Sequence, residues 1–188
     1  APKSGLAGVW TAPQILLDVG GNLAVWAERG ISKQLLSDKR QLPWMVLHGG
    51  PGGSLGAAHV APLRFAGLPW FGFDQRNSGL SEDIDLSGID LQLFIDDALQ
   101  IADRLGIESF HVLGGSWGAT LALALAAYRP ERIASVVIRA PFIPLRPRVD
   151  AFFESLERIA PDYFADSFGQ GARTDTVCEC FAVATPEH

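Results

Sequence analysis

Residues 113–133 read LGGSWGATLALALAAYRPERI, and one hydroxyl, Ser116, stands there between glycines and a long alanine-leucine segment. SFHVLGG (109–115) before it reads as a strand, and Ser116–Tyr128 after it reads as a helix. The two meet at G-G-S-W-G, which satisfies G-x-S-x-G in a strand-to-helix context. Such a tight bend strains the serine and exposes its oxygen at the carboxyl edge of a sheet. Glycine suits both flanks because a side chain there would collide with the neighbouring strand or helix. A serine that only caps a helix needs neither glycine. The stretch therefore predicts a reactive hydroxyl, with a helix N-terminus aiming N–H groups at any negative charge that forms beside it.

The surrounding chain supplies a sheet for that bend. QILLDVG (14–20) and NLAVWAERG (22–30) are strand-like runs meeting at Gly20-Gly21, a hairpin signal. WMVLH (44–48) and PWFGFD (69–74) are short unbroken apolar runs that suit strands buried on both faces. Across 90–105, Leu91, Leu93, Phe94, Ala98, Ile101, Ala102 and Leu105 share one helical stripe, which Gly106 ends. IASVVIRA (133–140) reads as a further strand. This alternation calls for an α/β fold with a mostly parallel sheet and flanking helices. After Pro141 the texture changes: PFIPLRPRVD is proline-rich, and AFFESLERIAPDYFADSF reads as helical with a break at Pro161. Residues 1–140 are thus expected to form the sheet-bearing core and 141–188 a separate helical region.

Composition narrows the function classes. With 188 residues, 48% hydrophobic and 19% charged, the chain can bury a core and is not of disordered type. A net charge of −6 with scattered basic residues argues against a nucleic-acid surface. No apolar run approaches the roughly 20 residues of a membrane span. Cys178 and Cys180 lack a second ligand pair, so ordinary thiols are expected, with no metal and no cofactor. APKSGLAGVW at the start has no signal-peptide core, which makes the cytoplasm the expected compartment; the missing initiator Met leaves room for a removed leader.

HGGPGG (48–53) follows the third strand-like run. Acyl transfer needs two N–H donors near the developing oxyanion: the residue after the serine, Trp117, supplies one, and this glycine-rich loop the other. LHGGPGGS (47–54), FDQRNSGLS (73–81) and GGSWGATLALALAAYRPERI (114–133) together resemble the prolyl aminopeptidases, or proline iminopeptidases. The resemblance runs from about residue 14 to about residue 168. It implies an α/β-hydrolase fold, incomplete here at its C-terminal end and followed by the start of a helical cap. It also implies a serine hydrolase that removes an N-terminal residue, typically proline, from short peptides through an acyl-enzyme. In that resemblance Ser116 is the nucleophile and the N–H groups of Gly50 and Trp117 form the oxyanion hole. Gly49, Arg139 and Phe142 lie at the substrate, and Asp74, Gln75 and Arg76 support the site. Asn77 stands where the family usually has Gly, a position asparagine tolerates when the backbone is left-handed.

A serine hydroxyl also needs a histidine to take its proton and an acid to orient that histidine. In this fold both follow the serine in the chain. His48, His59 and His111 precede Ser116, and His188 is the last residue with no strand to position it. No stretch after Ser116 resembles the family's acid loop. The expectation is therefore that the acid and histidine come from a second chain or a missing segment, leaving an open strand edge near residue 140. Two other readings stand beside the peptidase: an esterase or amidase on a small acyl substrate, and a non-catalytic chain that binds a partner.

Overall fold

A computed structural model describes residues 15–27, 41–50, 52–85, 90–143 and 145–162. It divides into two units, Ala1–Leu86 with Phe94–Phe142, and Ser87–Leu93 with Ile143–His188.

Among the described residues of the first unit, six strands form one sheet: β1 (Ile15–Asp18), β2 (Asn22–Ala27), β3 (Trp44–Leu47), β4 (Trp70–Phe73), β5 (Phe110–Gly115) and β6 (Ile133–Arg139). Their spatial order is β1-β2-β4-β3-β5-β6. The hairpin turns at Gly20-Gly21, where the Asp18 carboxylate accepts both glycine N–H groups at 2.9 and 3.3 Å. β1–β2 and β2–β4 are antiparallel, whereas β3–β4, β3–β5 and β5–β6 are parallel. Each parallel step is bridged by a helix: α1 (Ala57–Phe65), α2 (Leu91–Arg104) and α3 (Trp117–Tyr128).

α1 is the element that sequence reading passes over. It lies between glycines and carries Pro62 in its interior, which removes a helix hydrogen bond and argues locally against helix. Packing overrides that preference. Val60 and Leu63 are buried and cluster with Trp26, Val46 and Trp70 on one face of the sheet. Register places Val46, Gly72 and Leu113 on that face and Met45, Phe71 and Val112 on the other. Edge-to-face rings fill the interior, with Phe71–Phe110 at 5.8 Å and Phe94–Trp117 at 5.5 Å between centroids.

β6 ends the sheet. Its partner among the described residues is β5, and Val137 and Ile138 are 47% and 39% exposed, one on each face of the strand. An apolar strand wet on both faces and along one edge is a template for pairing.

The second unit contributes the start of α2, where the Asp90 carboxylate accepts the Leu93 N–H at 2.9 Å, and α4 (Arg146–Ile159). α4 begins five residues before the helical run read from sequence, because Pro147 sits in its first turn, where a missing N–H costs nothing. It ends before Pro161, as the sequence indicates. Cys178, Cys180 and His188 lie outside the described residues.

Candidate active site

Ser116 joins β5 to α3 with φ 54° and ψ −120°, a backbone region that a side chain normally avoids. Its N–H donates to Arg139 O at 3.0 Å, and its carbonyl accepts from Ala119 N at 3.0 Å and Phe142 N at 3.3 Å. The main chain is thus pinned on both sides, and the strain is held by the bonds around it. The side chain is exposed and makes no capping hydrogen bond, so helix capping does not account for the hydroxyl. Both flanking glycines are sterically required. A Cβ on Gly114 would stand 2.2 Å from Gly118 O, and one on Gly118 would stand 2.2 Å from Leu47 O and 2.6 Å from His48 O. The helix start therefore rests directly on the end of β3.

That contact brings the glycine-rich loop to the serine. A Cβ on Gly49 would lie 3.3 Å from Ser116 Cβ and 4.0 Å from its Oγ. Gly50 next to it is exposed at φ 146°. Trp117 is buried, its ring against Phe94. Arg139 and Phe142 frame the bend through the backbone bonds above, and the Arg139 guanidinium lies 3.7 Å from where a Gly115 Cβ would stand. The structure thus gathers Gly49, Ser116, Arg139 and Phe142 around one turn.

The loop after β4 braces it. Asp74, 2% exposed, accepts Leu55 N at 2.6 Å and Leu80 N at 2.8 Å, tying the glycine-rich loop to its own. Asn77 adopts φ 57°, and its amide pairs with both backbone groups of Ile84. The Arg76 guanidinium reaches Val19 O and Gly20 O at 3.0 Å each and both oxygens of Asp97 at 2.6 Å. Asp97 was not singled out by the sequence reading. Its signal was there, an acid at a stripe position of an amphipathic helix.

The three described histidines have partners other than the serine hydroxyl. His59 Nδ1 accepts Gly56 N at 3.0 Å, and His111 lies 2.7 Å from Ser135 Oγ, stacked on Trp44. His48 is fully buried; its Nδ1–H donates to Gly49 O at 2.7 Å and its Nε2 accepts Gln75 N at 3.0 Å. Burial, against the opposing Gly49 bond and with a small push from His59, lowers its pKa from 6.5 to about 4. Between those values the unfolded chain binds a proton that the folded one refuses. Stability is therefore full above pH 6.5 and falls as pH drops towards 4, by about 3 kcal/mol for this group. Denaturant midpoints measured across that range should show the loss, and a His48→Gln variant should show a shallower slope. Equal slopes would remove His48 as the cause.

A cavity of about 300 Å³ lies away from the bend, lined by Asp103, Gly106, Ile107, Glu108 and Arg132. Arg132 precedes β6, whereas Ser116 bonds to the last residue of that strand. The guanidinium is already held by Asp103 at 2.7 Å and Ile107 O at 2.9 Å. The cavity is thus not the candidate site.

The alpha/beta hydrolase fold family model matches residues 43–175, a range that includes both the glycine-rich loop and the Ser116 turn. The chain belongs to the α/β hydrolases. Within this family it is similar to the proline iminopeptidase of Xylella fastidiosa (strain Temecula1 / ATCC 700964), 35% identical over 125 residues, covering 64% of this chain and 39% of that one. It is also similar to the proline iminopeptidase of Arabidopsis thaliana, 30% identical over 147 residues, covering 74% and 38%. The solved proline iminopeptidase of Mycobacterium smegmatis superposes with a TM-score of 0.58 at 25% identity, covering 80% of this chain and 50% of its own. The resemblance carried by HGGPG and GGSWG is borne out. This α/β hydrolase spans about two fifths of the length of those curated relatives. Among its described residues, no helix is long and apolar enough to cross a membrane.

Proposed function

We propose that this chain carries the nucleophile and oxyanion hole of a serine aminopeptidase that removes an N-terminal proline-type residue from short peptides. The observation that carries the reading is Ser116 itself, an exposed hydroxyl on a strained bend, unused in capping and beside Gly49. Ser116 Oγ attacks the substrate carbonyl carbon while a histidine takes its proton. The carbonyl oxygen becomes an oxyanion held by the N–H groups of Gly50 and Trp117, each such donor contributing about 10²–10³ in rate. Collapse expels the peptide amine, which takes the proton back from the histidine, and leaves an acyl-enzyme that water then hydrolyses. Phe142 offers a ring face to a pyrrolidine, and Arg139 a donor to substrate oxygen.

The histidine and its acid come, in this proposal, from a second chain or a further segment seated beside β6. The helical region from residue 141 begins the cap that sets selectivity, and a cytoplasmic setting fits a chain with two cysteines and no disulfide framework. The test is a fluorophosphonate reagent on the full-length protein, with or without its partner chain, followed by a panel of proline arylamides and short acyl esters. Modification at Ser116 and faster turnover of the proline arylamide are expected. Preference for esters replaces the peptidase reading with an esterase or amidase. No modification of any assembly leaves a non-catalytic binding chain.

A further inference from the structure

Gln75, 2% exposed, bonds at once to both sides of the candidate oxyanion hole. Its Oε1 accepts the Trp117 indole Nε1–H at 2.6 Å. Its Nε2 donates to His48 O at 3.0 Å, and its own N–H donates to His48 Nε2 at 3.0 Å. His48 in turn donates to Gly49 O, the residue whose α-carbon faces Ser116. The chain of bonds runs without a gap from the residue after the serine to the loop in front of it.

The partners fix which way the amide points. An indole N–H only donates and a backbone carbonyl only accepts, so the oxygen must meet Trp117 and the NH₂ must meet His48. A carboxylate cannot donate, and an apolar side chain of the same length can do neither. If the position needed volume alone, a buried amide would be a costly way to fill it.

We propose that Gln75 is a positioning residue for catalysis, holding the Gly49–Gly50 loop at a set distance from Trp117 so that both N–H groups meet one oxygen. The inference rests on Ser116 being the nucleophile. A misplacement of about an ångström at such a site costs about 10²-fold in rate.

The experiment compares Gln75→Met and Gln75→Glu with wild type in the full-length protein, below each variant's melting temperature. It reads the fluorophosphonate rate constant at Ser116 and the split between kcat and KM. Gln75→Met should slow modification and kcat at least about 10-fold with KM within about 2-fold. Gln75→Glu should be slowed more at pH 8 and should recover towards wild type by pH 5.5, because a protonated acid can accept from the indole and donate to His48 O. Burial keeps His48, a titratable group facing this position, neutral over that range in the wild-type protein, which is therefore the reference at each pH. Should the methionine variant not fold, the pH recovery of the glutamate variant alone decides. Should that variant also not fold, Trp117→Phe decides, since it keeps the backbone donor, removes the indole donor and should lower kcat with KM held. Wild-type rates at unchanged KM, with only a lower melting temperature, would reduce Gln75 to a packing residue. Absence of any modification in wild type would instead remove the nucleophile reading beneath it.

Discussion

Ser116→Gly should melt higher than wild type and lose its chemistry in the same step. At φ 54° and ψ −120° a residue with a Cβ stores about 1–3 kcal/mol of backbone strain. Glycine accepts that conformation without the steric penalty, and gives back about 0.5–1 kcal/mol through the freer unfolded chain. The balance is a gain of about 1 kcal/mol, or about 2–4 °C in Tm for a chain of this size. Removing the hydroxyl removes the nucleophile, which in a serine hydrolase costs on the order of a million-fold in turnover. Ser116→Ala is the control: it loses the hydroxyl but keeps the Cβ and hence the strain, so it should match wild type in stability. Opposite signs for stability and reactivity at one position are the mark of a strained site. If the glycine variant is less stable than the alanine variant, the bend is not strained.

That bend was legible in the sequence because its requirement is local. Two glycines at fixed spacing, a strand before and a helix after leave few other backbones, and the clashes at Gly114 and Gly118 are the reason. The apolar runs at 44–48 and 69–74 likewise announced strands buried on both faces, and 109–115 announced the strand before the bend. α1 was not legible, since Pro62 argues locally against helix and only the contacts of Val60 and Leu63 with the sheet outweigh it. The hydrogen bonds of Gln75 were hidden for a related reason. They link residues 42 and 27 positions apart, and nothing in D-Q-R itself says which side chain turns inward. The resemblance named the loop as support for the site without saying what each member holds.

Asp97→Ala should be among the most destabilising single changes in the first unit, at about 3–5 kcal/mol. The Arg76 and Asp97 side chains are 3% and 1% exposed, joined by two bonds of 2.6 Å. Burial raises the Asp97 carboxyl above its ordinary range, and the guanidinium opposes that rise through its hydrogen bonds and charge. Remove the carboxylate and a permanent cation stays in the interior, tethered by the carbonyls of Val19 and Gly20. Out of a total stability of about 5–15 kcal/mol, that loss takes a large share. Asp97→Asn keeps an acceptor without the charge and should lose roughly half as much. An Arg76→Met, Asp97→Leu pair removes both charges and should recover part of the stability, though not all, because the hairpin carbonyls lose their donors. Denaturant unfolding of the four proteins gives the comparison. A cost below about 1 kcal/mol for Asp97→Ala would mean that water reaches Arg76, and that the β1–β2 turn is not anchored through it.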